Sequence, residues 1–158
     1  MYTAVFKAVA VTAQQDLFEI LSAADSVTVI HDWTISQSTD VKDAEEEMLT
    51  LTTNRGVGTV TSGTGGSTAT VNQISDGDAA FGGTIEVNNT TKMVVGTGTL
   101  ETDLEVHNWN VRIPYQKIYT PETRPVISPS NRWTLELETT PADSITISGT
   151  ITVEEIGG

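Results

Sequence analysis

The sequence predicts an all-β fold, a β-sandwich, and three observations support the prediction. Apolar and polar residues alternate with period two in several segments, which is typical of strands with one buried face. Thr, Val and Ile dominate these segments, and β-branched side chains favour strands over helices. Finally, a chain of 158 residues fits one domain, residues 1–158, around a single hydrophobic core.

The clearest alternation lies in residues 27–35, 133–138 and 145–153. In the first of these segments, one face is predicted to hold Val27, Val29, Trp33 and Ile35. Trp33 and Trp133 lie in phase with aliphatic neighbours and are predicted to belong to the core. Weaker strands are predicted over residues 2–11, 17–20, 48–54, 84–88 and 93–95. These segments together indicate eight or more strands.

Two irregularities accompany the strands. Between Leu104 and Ile113 the apolar phase shifts, which predicts a bulge near His107-Asn108. The pattern Ala-Asp-Ser precedes an alternating strand at residues 24–26 and again at residues 142–144. This repetition suggests that two strands begin at the same end of the sandwich.

Four stretches are predicted to lie outside strands. Residues 39–46 combine cap-like Thr and Asp with helix formers, which predicts one or two helical turns. Residues 14–16 are predicted to form a turn. The run from 56 to 70 is rich in Gly, Ser and Thr and predicts a long exposed loop, and four prolines mark an extended segment at about 114–129.

Among sandwich architectures, a jelly roll is favoured over an immunoglobulin-like fold and over a closed barrel. A jelly roll tolerates long connections such as residues 56–70. The chain has no cysteine, so the paired cysteines that flank a tryptophan in antibody domains are absent.

Charge argues against nucleic acid as a partner. The chain carries 21 acidic and 8 basic residues, a net charge of −13, and no two basic residues are adjacent. Phosphate binding depends on clustered Lys and Arg, which release counterions. No apolar run approaches the roughly 20 residues of a membrane-spanning helix, so no membrane partner is expected.

The sequence contains no recognisable catalytic motif, so an enzyme is not expected, nor a cofactor or bound metal. The two histidines, His31 and His107, lie within predicted strands, where a packed and hydrogen-bonded histidine is favoured over a catalytic base. Asp76-Gly77-Asp78 lacks the remaining ligands of a calcium loop. Gly63-Thr64-Gly65-Gly66 lacks the Lys that follows in a phosphate-binding loop.

The candidate interface lies in the proline-marked segment and comprises Tyr115, Tyr119, Glu122 and Arg124. Exposed tyrosines there would suit either a protein interface or a platform for sugars. The residues alone leave both possibilities open.

Several segments resemble small structural proteins of tailed bacteriophages. They are residues 9–20, 36–40, 43–47, 86–91, 121–125 and 141–150, followed by Glu154-Glu155. The resemblance spans nearly the whole chain. It implies a jelly-roll decoration (cement) protein on the outer capsid surface of the virion, commonly a homotrimer, whose partner is the phage major capsid protein.

Two alternatives remain from the residues. A head-fibre or tail-associated adhesin would use the same β-sandwich to bind glycans. A glycan hydrolase or lyase stays open, because the pairing of two carboxylates in space is not visible in a sequence. It is disfavoured because nothing in the sequence indicates that chemistry.

Overall fold

A computed structural model of the protein describes residues 1–38 and 47–157, and within them the chain forms fourteen strands and no helix. The strands of the first half are β1 (Tyr2–Val11), β2 (Gln15–Leu21), β3 (Ser26–Gln37), β4 (Met48–Val57), β5 (Val60–Thr61), β6 (Ser67–Thr68) and β7 (Val71–Gln73). Those of the second half are β8 (Thr84–Asn89), β9 (Val94–Val95), β10 (Thr99–Asn110), β11 (Tyr115–Ile118), β12 (Val126–Ile127), β13 (Arg132–Leu137) and β14 (Ile145–Gly157).

Two six-stranded antiparallel sheets account for most of the strands. The first sheet has the order β11-β3-β14-β1-β7, with β12 also paired to β3. The second sheet has the order β10-β4-β13-β2-β8-β6, and β5 pairs with β9 in a small separate sheet. β10 is therefore an outer strand of the second sheet, and β11 and β12 lie at the corresponding margin of the first.

Side chains from both sheets share one hydrophobic core. Phe6 of the first sheet contacts Phe18 of the second, with ring centroids 5.1 Å apart. Trp33, Trp109 and Trp133 are all buried in this core. The all-β prediction and the core positions of Trp33 and Trp133 are confirmed, whereas the preference for a jelly roll over an immunoglobulin-like topology stays a prediction.

The predicted face of β3 is wrong in its first half. The pairing of β3 with β14 shifts register between Ile30 and Asp32, which leaves His31 at a bulge. Ile30 is fully buried in the core, so Val29 falls on the other face of the strand. Trp33 and Ile35, beyond the bulge, face the core as predicted.

The bulge predicted near His107-Asn108 also lies elsewhere. The pairing of β10 with β4 shifts between Glu101 and Glu105, where Asp103 has a φ of 56°, and is regular from Glu105 to Asn110. The apolar phase shift has another cause: Leu104 and Val106 are exposed, whereas Trp109 is buried.

The two Ala-Asp-Ser segments do not begin strands at the same end of the sandwich. They precede β3 and β14, which pair antiparallel with Ser26 opposite Gly157 and Gln37 opposite Ile147. The two strands therefore begin at opposite ends of the first sheet. Alternation within a segment carries no information about the direction in which its strand runs.

The predicted irregular stretches have mixed outcomes. Gln15 and Asp16 begin β2, so the turn predicted over residues 14–16 is wrong. Residues 56–70 are largely exposed but include β5 and β6, and Gly63 within them is buried. The proline-marked segment contains β11 and β12. The helical turns predicted over residues 39–46 lie outside the described residues.

Candidate interface at the sheet margin

The margins of the two sheets meet at a hydrogen-bonded group of side chains, here called the edge network. Its members are Glu105 and His107 on β10, Tyr115 and Lys117 on β11, and Tyr119 directly after β11. Alternation along β10 directs Glu105 and His107 to the same side as buried Trp109. The pairing of β11 with β3 places Tyr115 beside Ile35 and Lys117 beside Trp33.

Glu105 is the centre of the edge network. The Tyr119 hydroxyl donates a hydrogen bond of 2.6 Å to its Oε2, and Lys117 Nζ lies 3.2 Å from its Oε1. His107 Nε2 lies 3.4 Å from Oε2, and His107 Nδ1 is 2.9 Å from the Tyr115 hydroxyl. The network thus connects the two sheets through side chains.

Aromatic packing supports the same arrangement. The Tyr115 ring stacks on Trp33 with centroids 5.4 Å apart and an interplanar angle of 25°. Trp33 Nε1 donates a hydrogen bond of 3.3 Å to the Tyr119 hydroxyl, and Lys117 Nζ lies 5.0 Å from the Tyr119 ring centroid. Stacked rings and a cation over a ring each stabilise such a contact beyond the area they bury.

The electrostatics keep Tyr119 protonated and Glu105 ionised. Burial and the hydrogen bond to Glu105 raise the pKa of Tyr119 well above its ordinary value. Burial alone would raise the pKa of Glu105, but hydrogen bonds from Tyr119 and Lys117 outweigh it and lower that pKa. The phenol is therefore a fixed donor and the carboxylate a fixed acceptor.

The expectation that Tyr115 and Tyr119 are exposed is wrong. Tyr119 is only 3% exposed, and Tyr115 is half-buried against the core. The proline-marked segment pairs with β3 through β11 and β12, which turns these rings inward. The Tyr119 ring is therefore not available as a platform for sugars, and one face of the Tyr115 ring is covered by Trp33.

Glu122 and Arg124 occupy the turn between β11 and β12. Glu122 is exposed, and hydrogen bonds from its own backbone amide and from Thr120 lower its pKa. Arg124 is partly buried, and its Nε atom has no hydrogen-bond partner. Neither residue joins the edge network. Glu105 and His107 do belong to it, but the sequence did not indicate them, because only the folding of β10 against β11 brings them beside the tyrosines.

A cleft lies beside the network, between β10 and the turn that leads into β12. It has a volume of about 190 Å³ and is lined by Thr53, Arg55, Leu104, Glu105, Thr123, Pro125, Val126, Ile127 and Trp133. The indole nitrogen of Trp133 is buried and has no hydrogen-bond partner. The lining of the cleft is mainly apolar, and its two charged groups are the carboxylate of Glu105 and the guanidinium of Arg55.

The free edge of β10 completes the candidate interface. Among the described residues, β10 pairs with β4 on one side and with no strand of the second sheet on the other. Leu104 and Val106 on this strand are 42% and 57% exposed, and Val126 across the cleft is 50% exposed. An unpaired strand edge next to apolar side chains is a natural place for another chain to add.

Three other residues considered from the sequence have structural partners. His31 Nε2 lies 2.9 Å from Glu154 Oε2, and Asp78 Oδ2 accepts a 2.7 Å hydrogen bond from the amino group of Met1. The Gly63 amide donates to Glu19 at 2.8 Å. Within residues 1–38 and 47–157, no cluster of His, Asp and Glu is arranged to hold a metal ion.

No protein-family model, curated protein or solved structure shows a significant match to this chain. The edge network, the cleft and the free edge of β10 are therefore interpreted from their own geometry.

Proposed function

We propose that the protein is a capsid decoration protein of a tailed bacteriophage, which binds the outside of the major capsid shell as a trimer. The observation that carries the proposal is the free edge of β10 with exposed Leu104 and Val106 beside it. The resemblance of the sequence to small phage structural proteins supplies the identity of the assembly. A net charge of −13 suits the outer surface of a capsid, away from packaged DNA.

The free edge suits strand addition. β10 is 12 residues long, and it presents unpaired backbone groups to any extended segment that aligns with it. Natural proteins commonly protect such edges with Lys, Pro or a covering loop. Here the exposed side chains on residues 104 and 106 are apolar, which favours association over protection.

The proposed mechanism is stabilisation by linkage. A protein that binds the assembled shell and not the free capsid subunits shifts the equilibrium toward the shell. A trimer that engages three neighbouring sites gains avidity, because the later contacts form within an existing complex. No catalysis is required.

Mass spectrometry of purified virions tests the proposal by copy number. Hundreds of copies in each particle are expected for a shell protein, and a few copies would indicate a tail or fibre. Particles that lack the protein should release DNA at a lower temperature than complete particles. When the salt concentration is lowered, they should also release DNA earlier, while more salt is still present. Equal robustness, together with absence of the protein from virions, would refute the proposal.

A pair of variants tests the part played by the free edge. Val106→Lys should abolish binding of the purified protein to undecorated shells, because the ammonium opposes strand addition at β10. Ile74→Lys is the matched control, since Ile74 is 56% exposed and lies outside the strands. If both variants bind shells like the unmodified protein, β10 is not the contact.

A glycan-binding adhesin is the second candidate, and the cleft is the observation that favours it. Glu105, Arg55 and the unpartnered Trp133 indole would offer polar contacts to a sugar there. A glycan array on the isolated protein separates the candidates, because saturable binding lost in Glu105→Gln would support the adhesin. A decoration protein should show no such binding.

A further inference from the structure

Three side chains meet on the outer face of the second sheet around one carboxylate. Glu136 lies on β13, Asn54 lies on neighbouring β4, and Lys92 lies in the segment between β8 and β9. Lys92 Nζ is 2.5 Å from Glu136 Oε1, and Asn54 Nδ2 donates a 3.0 Å hydrogen bond to Glu136 Oε2. One carboxylate therefore holds a primary amine and a carboxamide on its two oxygens.

The carboxamide of Asn54 is fixed and polarised. Asn54 is 4% exposed, and its Oδ1 accepts a 3.0 Å hydrogen bond from the backbone amide of Asp103. Asp103 is held in the left-handed region at the β10 bulge, so this donor is a feature of the bulge itself. A fixed N–H group on a carbonyl oxygen stabilises negative charge that develops there during nucleophilic addition.

The backbone next to Lys92 is anchored. The adjacent residue, Met93, is buried, and its amide donates a 2.7 Å hydrogen bond to Asp16 Oδ2. Lys92, Asn54 and Glu136 all line one polar cleft of about 230 Å³. The amine and the carboxamide therefore line a common space, and Glu136 contacts both of them.

We propose that Lys92 and Asn54 form an intramolecular isopeptide bond with Glu136 as the catalytic residue. The Lys92 ammonium passes a proton to Glu136, and the neutral Nζ attacks Asn54 Cγ, so that the carbonyl electron pair moves onto Oδ1. Glu136 transfers a proton from Nζ to Nδ2. The carbonyl then re-forms and the Cγ–Nδ2 bond breaks, which releases ammonia that leaves as ammonium.

The reaction is balanced without an oxidant or a further reactant. An ammonium group and a carboxamide become a secondary amide and an ammonium ion, and total charge is conserved. The bond would tie the segment before β9 to β4 covalently. In a chain without cysteine it would restrict the unfolded state as a disulfide does, independently of redox conditions.

Intact-mass spectrometry of the purified full-length protein tests the proposal. The expected mass is lower than the sequence mass by one ammonia molecule. After trypsin digestion, the peptide ending at Arg55 should be joined to a peptide in which Lys92 is uncleaved. A protein that keeps its full sequence mass after prolonged incubation, while folded by circular dichroism, would overturn the proposal.

Variants separate the bond from other losses of ammonia. Lys92→Arg and Glu136→Gln should keep the full mass, whereas the matched controls Lys7→Arg and Glu122→Gln, at exposed positions outside the cleft, should still lose ammonia. Asn54→Asp should lose water instead if the same site reacts. A mass deficit without the joined peptide would indicate cyclisation of an asparagine on its own backbone, and a joined peptide in Glu136→Gln would remove Glu136 from the chemistry.

Discussion

The Tyr119 hydroxyl donates a hydrogen bond of 2.6 Å to Glu105 and so joins the proline-marked segment of the first sheet to the outer strand of the second. Tyr119→Phe removes this donor and also the acceptor for Trp33 Nε1. A hydrogen bond to a charged group contributes about 1.5–3 kcal/mol, so the free energy of unfolding should fall by about 2 kcal/mol. Urea denaturation measures the change.

Tyr115→Phe is the matched control for that substitution. It removes the bond between the Tyr115 hydroxyl and His107 but leaves Glu105 its contacts with Tyr119 and Lys117. Its effect should be smaller, about 1 kcal/mol, because the lost partner is not the carboxylate. An equal or larger loss in Tyr115→Phe would mean that Glu105 is not the centre of the network.

Two arginine–glutamate pairs in the second sheet should differ sharply in energy. Arg132 Nη1 lies 2.6 Å from Glu19, whose side chain is 0% exposed, whereas Arg55 and Glu101 form a pair that is 42% and 44% exposed. Arg132→Ala leaves a buried carboxylate without its cation and should cost about 3 kcal/mol or more. Arg55→Ala should cost about 1 kcal/mol or less. Equal losses in denaturant titrations would contradict this reading.

Asp16 should make the protein less stable as the pH rises from about 4 to about 7. Burial raises the pKa of Asp16 from 3.8 to about 7; the hydrogen bond from Met93 opposes this rise, and the Glu136 and Glu19 charges add to it. The folded state therefore keeps a proton in this window that the unfolded state has released. The free energy of unfolding should decline by at most about 1.4 kcal/mol per pH unit on account of this group.

Asp16→Asn tests that dependence, because asparagine cannot titrate but can still accept the Met93 hydrogen bond. Thermal unfolding across the window should show a flatter decline than in the unmodified protein. Asp76→Asn, at an exposed position, is the control and should reproduce the unmodified profile. A decline of unchanged steepness in Asp16→Asn would assign the proton to another group.

Gly149 has no side chain, and the Phe6 ring packs in the space that a side chain at residue 149 would fill. A Cβ at residue 149 would lie 2.4 Å from Phe6 Cε1 and 3.0 Å from Ile35 Cδ1. Gly149→Ala should therefore destabilise the fold by about 1–3 kcal/mol through overpacking. Gly77→Ala is the control, since the nearest atom to its added Cβ would be 4.0 Å away. A thermal midpoint unchanged in Gly149→Ala would show that the core can yield there.

Local alternation predicted the strands well, because burial of one face leaves its period in the sequence. The predicted range of residues 2–11 matches β1, and residues 84–88 fall one residue short of β8. The bulge at Asp103 was misplaced and the one at His31 was not predicted, because a bulge is defined by the register of a partner strand. Alternation along a single strand does not contain that register.

The candidate interface was predicted only in part, for a related reason. Aromatic residues in a proline-marked segment indicated that Tyr115 and Tyr119 matter, but their exposure depends on the pairing of that segment with β3. Glu105 contacts residues more than ten positions away, and nothing around Glu105 in the sequence indicates them. The sequence did contain one indication of the exposed strand. Leu104 and Val106 occupy even positions and Trp109 an odd one, so they lie on opposite faces of β10, and only one of these faces is buried.

β14 lies between β3 and β1 in the first sheet, although it is the last strand along the described chain. On the ribosome, β1 and β3 therefore emerge long before the strand that joins them. Until residues 145–157 have left the exit tunnel, β1 and β3 can pair only with their other neighbours, β7, β11 and β12, and sheets built from such distant pairings form slowly. The first sheet is thus completed only after its last strand has emerged, and until then the chain exposes unpaired strand edges that are prone to aggregation.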